Sequence, residues 1–280
     1  MAQMSLQDWV GRSERLTDDV VATPLAALAA TLGRPVALEP GGTIPELRHW
    51  LNFLPLAPAD AIGSDGHPRR GGFLPPIPLE RRMWAGGRLT FHDALRVGDV
   101  MTRDSTITSI KEKAGRAGPM VFVTLRHAVA TERGLAVEEE QDLVFVAMPD
   151  AYAPPPPEPV PNDLAWSDPA PVDEVVLFRF SALTFNAHRI HYDLPYAKGV
   201  ERYPGLVVHG PLQAVLLLDS ARRHAPGRRP AGFSFRAVRP LFHFDAVQVS
   251  GRPQADGATE VFTSNRDGHV GMRATVEWSG

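Results

Sequence analysis

Between Phe180 and Asp193 the chain reads F-S-A-L-T-F-N-A-H-R-I-H-Y-D, which places Asn186, His188, Arg189, His191, Tyr192 and Asp193 within eight positions. Histidine gains and loses a proton near neutral pH, so His188 and His191 are candidate acids or bases. Asn186 can hold a water or a carbonyl but cannot take a proton. About ten residues later, Y-P-G-L-V-V-H-G-P-L-Q-A-V-L-L-L-D-S runs from Tyr203 to Ser220. His209-Gly210-Pro211 has the pattern of a helix start, because glycine admits close approach to the backbone and proline is preset for the first turn. The first N–H groups of a helix lack partners inside it and lie at the positive end of its dipole. A carbonyl oxygen gaining negative charge is a fitting partner for Gly210 N–H. Together the two segments point to an enzyme that polarises a carbonyl and moves protons beside it.

Other chemistry is open to the same residues. His188, His191 and Asp193 form a two-histidine, one-carboxylate set, but spacings of three and two on a loop do not ensure convergence, and no H-E-x-x-H pattern occurs. No metal is expected. His209 either contacts substrate or bonds the backbone before the helix. Arg189 and Arg202 are candidates to pair an anionic substrate group, or are ordinary surface arginines. Gly66 to Arg88, G-H-P-R-R-G-G-F-L-P-P-I-P-L-E-R-R-M-W-A-G-G-R, lacks the lysine of a phosphate loop. It is expected to be a long loop: either plain surface, or a functional segment whose arginines (Arg69, Arg70, Arg81, Arg82) could hold phosphates and whose Phe73, Leu74, Met83 and Trp84 could wall an apolar tunnel. A serine hydrolase finds no support, since there is no G-x-S-x-G elbow.

The elements that must position these groups fall into two halves. Pro149 to Pro171 holds nine prolines in 23 residues, a composition that excludes helix and central strand and suits an extended connector. The expected domains are therefore residues 1–148 and 172–280, joined by a linker at 149–171. In the first half, Thr23 to Gly33 has helix signals at both ends. Arg88–Phe91, Val100–Lys113, Met120–Glu132 and Ala136–Ala147 follow as strands. In the second half, Val172–Phe180 is expected as a strand and Pro211–Arg223 as a buried helix. Phe233–Val238, Ala246–Gly251, Thr259–Thr263 and Met272–Trp278 are then expected as strands. One helix and a meander of strands, twice over, predicts an α+β protein in which antiparallel sheet wraps helix.

Composition narrows the partners. Hydrophobic residues make up 44% of the 280 positions and charged ones 22%, with a net charge of −3. This fits a globular core and gives no electrostatic reason to expect nucleic acid. With no cysteine, disulfides, thiolate catalysis and cysteine-ligated zinc are excluded. No apolar run approaches the ~20 residues that cross a bilayer, and the N-terminus lacks a secretory pattern, so a soluble, cytoplasmic protein is expected.

L-T-F-N-A-H-R-I-H-Y-D followed by Y-P-G-L-V-V-H-G-P-L resembles the MaoC-like, hydratase-2 type hotdog enzymes. With the Gly66–Arg88 segment, the chain from Trp9 to Trp278 is similar to their double-hotdog branch, which carries a fungal-synthase-like dehydratase N-terminal domain. That branch includes mesaconyl-CoA and itaconyl-CoA hydratases and type 2 hydroxyacyl-thioester dehydratases. The resemblance implies a double hotdog, each half an antiparallel sheet around a long central helix. It implies hydration of a 2-enoyl thioester, an acyl-CoA substrate, no cofactor and a homodimer. Laid on the family pattern, the catalytic histidine falls on His191 and the family's Asp on Asn186, with His188 at its Asn and Arg189 at its Pro. The Asp-to-Asn departure shifts the base role to His191 and leaves Asn186 to orient water. Gly210 N–H would face the thioester oxygen, with His188, Arg189, Tyr192, Arg202, His209 and Trp84 around the substrate. A dicarboxylic acyl group would give Arg189 or Arg202 a carboxylate to pair. A thioesterase and a non-catalytic acyl-thioester-binding subunit are the remaining alternatives.

Overall fold

The computed structural model describes residues 5–35, 38–115 and 118–279. The N-terminal half contributes β1 (Ser13–Asp19), α1 (Ala22–Thr31), β2 (Arg81–Phe91), β3 (Val100–Gly115), β4 (Gly118–Thr131) and β5 (Gly134–Val146). The C-terminal half contributes β6 (Trp166–Pro169), α2 (Glu174–Leu183), α3 (Leu194–Gly199) and α4 (Gly210–His224). Strands β7 (Pro230–Ala237), β8 (Gln248–Pro253), β9 (Thr259–Ser264) and β10 (Val270–Trp278) complete it.

All ten strands join one antiparallel sheet in the order β1-β3-β4-β5-β2-β7-β10-β9-β8-β6. Read outward from the β2–β7 seam, each half repeats the same succession, which is the α+β double-hotdog layout implied by the resemblance. At the seam Gly86–Thr90 pairs with Gly232–Arg236. The strands follow from alternation: along β4, Val121, Val123, Leu125, His127 and Val129 are buried while their neighbours are not. Helix α4 lies against β7 to β10. Its run Leu212–Leu218 is buried on every side, and each leucine or valine removed from water there stabilises by roughly 1.5–3 kcal/mol.

The expected helix at Thr23–Gly33 is α1. It packs on α2 and is ten residues long, against fifteen for α4. Between α1 and β2 the described residues contain only the 3-10 turns Arg48–Leu51 and Ala59–Ala61.

Three local expectations are corrected. Val172–Phe180 is not a strand, since residues 174–183 form α2. Its apolar run V-V-L-F looked extended, but Asp173 caps the helix by accepting from Val176 N–H at 2.8 Å. Val176, Leu177 and Phe180 are buried while Val175 and Phe178 are exposed, a helical and not a two-residue rhythm. Residues 66–88 are not loop throughout, because β2 begins at Arg81 and is paired with β5 from that residue. The expected connector 149–171 ends in a strand, β6, which pairs only with β8 at the sheet edge, where a proline is tolerated. No helix among the described residues is long and apolar enough to cross a membrane.

Candidate active site

The site is built from the turn after α2 and the segment before α4. His191 ends a 3-10 turn, Arg189–His191, preceded by Asn186, whose Oδ1 accepts from His188 N–H at 3.0 Å. That bond is an Asx turn, which suits Asn and fixes the loop's exit. Val207 N–H then donates to Ile190 O at 2.9 Å and Val208 N–H to Leu241 O at 2.8 Å, which pins the strand-like approach to His209.

His191 is buried, and its Nδ1 lies 2.8 Å from Val207 O. A carbonyl only accepts, so Nδ1 carries the proton and Nε2 keeps its lone pair. Burial, reinforced by the charge of His188 and only partly offset by Val207, pulls the pKa down to about 3. His191 is therefore neutral at physiological pH. Its ring stacks on that of His209 with centroids 3.6 Å apart. His209 has no exposed surface and lies 2.9 Å from Ser181 Oγ through Nε2, while among the described residues its Nδ1 has no partner. Burial also holds His209 well below its ordinary pKa, with His191 and His188 adding to the effect.

Gly210 follows His209 directly and opens α4. Among the described residues its N–H has no backbone acceptor, and no side chain caps the helix. A Cβ built there would meet nothing closer than 3.9 Å, from Met272 Cε and Trp84 O. The space before the helix is thus bounded by Trp84, whose indole N–H is buried and without a partner among the described residues. Trp84 meets Trp50 edge-on at 5.0 Å and Phe235 at 5.6 Å.

The N-terminal half reaches the same place through Asp65-Gly66-His67. Gly66 has φ +92, and a Cβ would lie 1.7 Å from Ala187 O, so only glycine permits this docking. Arg189 N–H donates to Asp65 O at 2.9 Å. Asp65 accepts from His67 twice, at the backbone N–H and at Nδ1, both 3.0 Å. Burial opposes the Asp65 charge, but these donors keep its carboxyl below the usual range. His67 is held neutral by burial and by the charge of Arg82. Its ring lies 4.1 Å from that of His188, which in turn meets His191 edge-on at 5.4 Å. His188 Nε2 donates to the buried Glu201 at 2.9 Å, and Arg81 lies 3.2 Å from the other Glu201 oxygen while covering Tyr203.

His188, His191, His209, Gly210 and Trp84 thus converge, with Asn186 holding the loop. Arg189 is committed to Asp193, at 2.9 and 2.7 Å, and to Ser64 O. Asp193 also caps α3 through Tyr196 N–H, so the His188–His191–Asp193 metal set does not form. Arg202 is exposed, in left-handed backbone at φ +62. Tyr192 is exposed and spends its hydroxyl on Ala187 O. A different set, Asp65, His67 and His188, offers ligand atoms within 4.8 Å of one another, but the neighbouring Arg82 charge opposes a cation there. Asp65, His67 and Glu201 do not stand out in the sequence, and Ser181 is there only a serine without a nucleophile elbow. The available signal was the G-H-P within the Gly66–Arg88 segment.

Relatives agree with this architecture. The family model for hydroxyacyl-thioester dehydratase type 2 matches residues 47–243. Mesaconyl-C(4)-CoA hydratase of Chloroflexus aurantiacus is 46% identical over 289 aligned residues, covering all of both chains. The mitochondrial hydroxyacyl-thioester dehydratase type 2 of Schizosaccharomyces pombe is 26% identical over 234, covering 74% of this chain and 75% of that one. A Mycobacterium tuberculosis protein with a double hotdog fold superposes with a TM-score of 0.59 at 16% identity, covering 98% of each chain. The chain belongs to the hydroxyacyl-thioester dehydratase type 2 family.

Proposed function

We propose that this chain is a hydro-lyase that interconverts a 2-enoyl-CoA and its 3-hydroxyacyl-CoA, with an acyl group that bears a second carboxylate. One observation carries the site assignment: a neutral His191 with its Nε2 lone pair free stands stacked on the residue preceding the uncapped amide of Gly210.

The thioester oxygen accepts from Gly210 N–H at the start of α4. His191 Nε2 takes a proton from water as the water oxygen bonds to C3. The C2–C3 π electrons move toward the carbonyl, and the enolate oxygen gathers charge where the helix end favours it. The imidazolium then returns its proton to C2, restoring the neutral histidine. Because His191 is hard to protonate, the imidazolium exists only while the enolate charge lies beside it. That couples the two proton transfers in one place. Trp84 walls the acyl side of the helix start, and Asn186 holds the loop that carries both histidines. His188 and His209 complete the enclosure.

The dicarboxylic assignment rests on the 46% identical relative, a mesaconyl-C(4)-CoA hydratase. We place the enzyme in the cytoplasm as a homodimer whose chains each carry two hotdog domains, 1–148 and 172–280, and light scattering tests the dimer. Following enoyl absorbance with mesaconyl-C4-CoA and crotonyl-CoA tests the reaction. The absorbance should fall with both, and faster with the first. Release of free thiol from a saturated acyl-CoA, with no loss of enoyl absorbance, would establish a thioesterase instead.

A further inference from the structure

We infer that Arg82 is the residue that binds the free carboxylate on C3 of the acyl group, and so sets substrate choice. The inference deepens the hydration reading and rests on it. Arg82 and Trp84 lie two apart on β2, before its bulge, and so project from the same strand face. Trp84 borders Gly210, with Met272 beside it. A two-residue step along a strand spans roughly 7 Å, which sets Arg82 one side-chain repeat from the thioester position. On the other side, Arg82 acts on His67 strongly enough to help keep that ring neutral, and His67 leads through His188 to His191. Arg82 therefore lies near His67, at the histidine side of the site. A carboxylate on C3, the carbon that water attacks, is carried past the thioester carbonyl toward the histidines.

The arginine also lacks what its neighbours have. Arg70 donates to the carbonyls of Ile77, Leu79 and Glu80, Arg81 pairs with Glu201, and Arg189 pairs with Asp193. Among the described residues Arg82 has neither hydrogen bond nor ion pair, although protein surrounds it closely enough for burial to pull its pKa down to about 10. It remains charged at neutral pH and keeps some accessible surface. The nearby Asp65 carboxylate attracts it, but Asp65 is already held by two N–H bonds from His67. A surrounded guanidinium with five donors and no acceptor fits a planar carboxylate arriving with the ligand.

The anion could also be a phosphate of coenzyme A, and the two sources separate by substrate. Arg82→Gln and Arg82→Lys are compared with wild type on mesaconyl-C4-CoA and on crotonyl-CoA, which carries the same coenzyme but no second carboxylate. Arg82→Gln should lower kcat/KM for mesaconyl-C4-CoA by roughly 10²-fold, mainly through KM, and change crotonyl-CoA by less than about threefold. Arg82→Lys should recover part of the preference. An equal loss on both substrates, in either variant, overturns the inference and makes Arg82 a phosphate or structural residue. Calorimetric binding of methylsuccinyl-CoA against butyryl-CoA is the second measurement. If wild type hydrates neither enoyl thioester, the hydration reading falls, and a selective loss of methylsuccinyl-CoA binding in Arg82→Gln still upholds the carboxylate site.

Discussion

In the N-terminal half the buried carboxylate Glu139 accepts from His49 Nε2 at 3.2 Å, from Trp50 Nε1 at 3.0 Å and from Gln141 Nε2 at 2.7 Å. Beside it His127 Nδ1 meets Ser105 Oγ at 2.8 Å. In the C-terminal half the cluster is as polar, but among the described residues Nε2 of His191, Nδ1 of His209 and the amide of Gly210 have no partner. The two clusters sit in half-sheets with the same strand succession. A satisfied buried network holds its neighbours in one arrangement, whereas unsatisfied groups keep the capacity to bond a substrate. Through Trp50 the first cluster also steadies the second, because Trp50 packs on Trp84 beside the helix start.

The largest effect separates stability from catalysis. Burial opposes charge on Glu139, yet His49, His127 and Gln141 hold its carboxyl at about 2. Glu139→Ala strands these donors and should cost about 3–5 kcal/mol, lowering Tm by roughly 10 °C in calorimetry. Turnover per folded molecule at 25 °C should stay within about threefold. A variant with wild-type Tm and lost turnover would erase the distinction between the halves.

His191→Ala is the converse. It should reduce kcat by at least ~10²-fold, the scale of a positioned acid or base, with a smaller change in Tm than Glu139→Ala. Unchanged kcat, measured on crotonyl-CoA, would remove His191 from the chemistry. Asn186→Asp sharpens the comparison by adding a carboxylate to the C-terminal cluster. An anion near His191 favours its charged form. The kcat/KM profile should then acquire an acid limb at a higher pH than wild type, with a change in kcat on the order of tenfold. If rate and profile both stay as they were, Asn186 acts on the loop alone.

Much of this comparison was legible in the chain. Alternating apolar positions gave most of the strands of both halves, because half-buried sheet imposes a two-residue rhythm that loops do not. The uniformly apolar Leu212–Leu218 gave the central helix for the same kind of reason. Helix α2 was hidden because β-branched and aromatic residues at Val175, Val176 and Phe178 suit a strand as well, and only the Asp173 cap distinguishes them. The edge strands β1 and β6 carry no buried position, so they show no pattern. His191 and Gly210 were visible because they sit within local motifs. Asp65 and His67 join the site through tertiary docking at Gly66, and nothing in local sequence states which distant loop a glycine will meet. The arginines of the same segment stand out in the chain, but spacing does not separate Arg82, which has no partner among the described residues, from Arg70 and Arg81, which the protein itself engages.

The smallest effect is a slope. His191 has a folded pKa of about 3 against an ordinary value near 6.5. Above pH 7 both folded and unfolded chains leave it neutral, and it contributes nothing to pH dependence. As pH falls below ~6.5 the unfolded chain takes up the proton and the folded chain does not, so stability is lost at up to about 1.4 kcal/mol per pH unit. His67, His209 and, in the other half, His127 shift in the same direction. Glu139 acts in a different window: its contribution is present above ~4.5 and is lost as pH falls toward 2. Denaturant melts between pH 7 and 5 should therefore show a slope that His191→Ala reduces and Glu139→Gln leaves alone. The same lowered pKa predicts that kcat/KM for hydration has no inflection near 6.5, since His191 is already the free base there. An acid limb centred at 6.5 would mean that His191 is solvated during turnover, and that burial does not set its protonation in the C-terminal cluster as it does in the folded chain at rest.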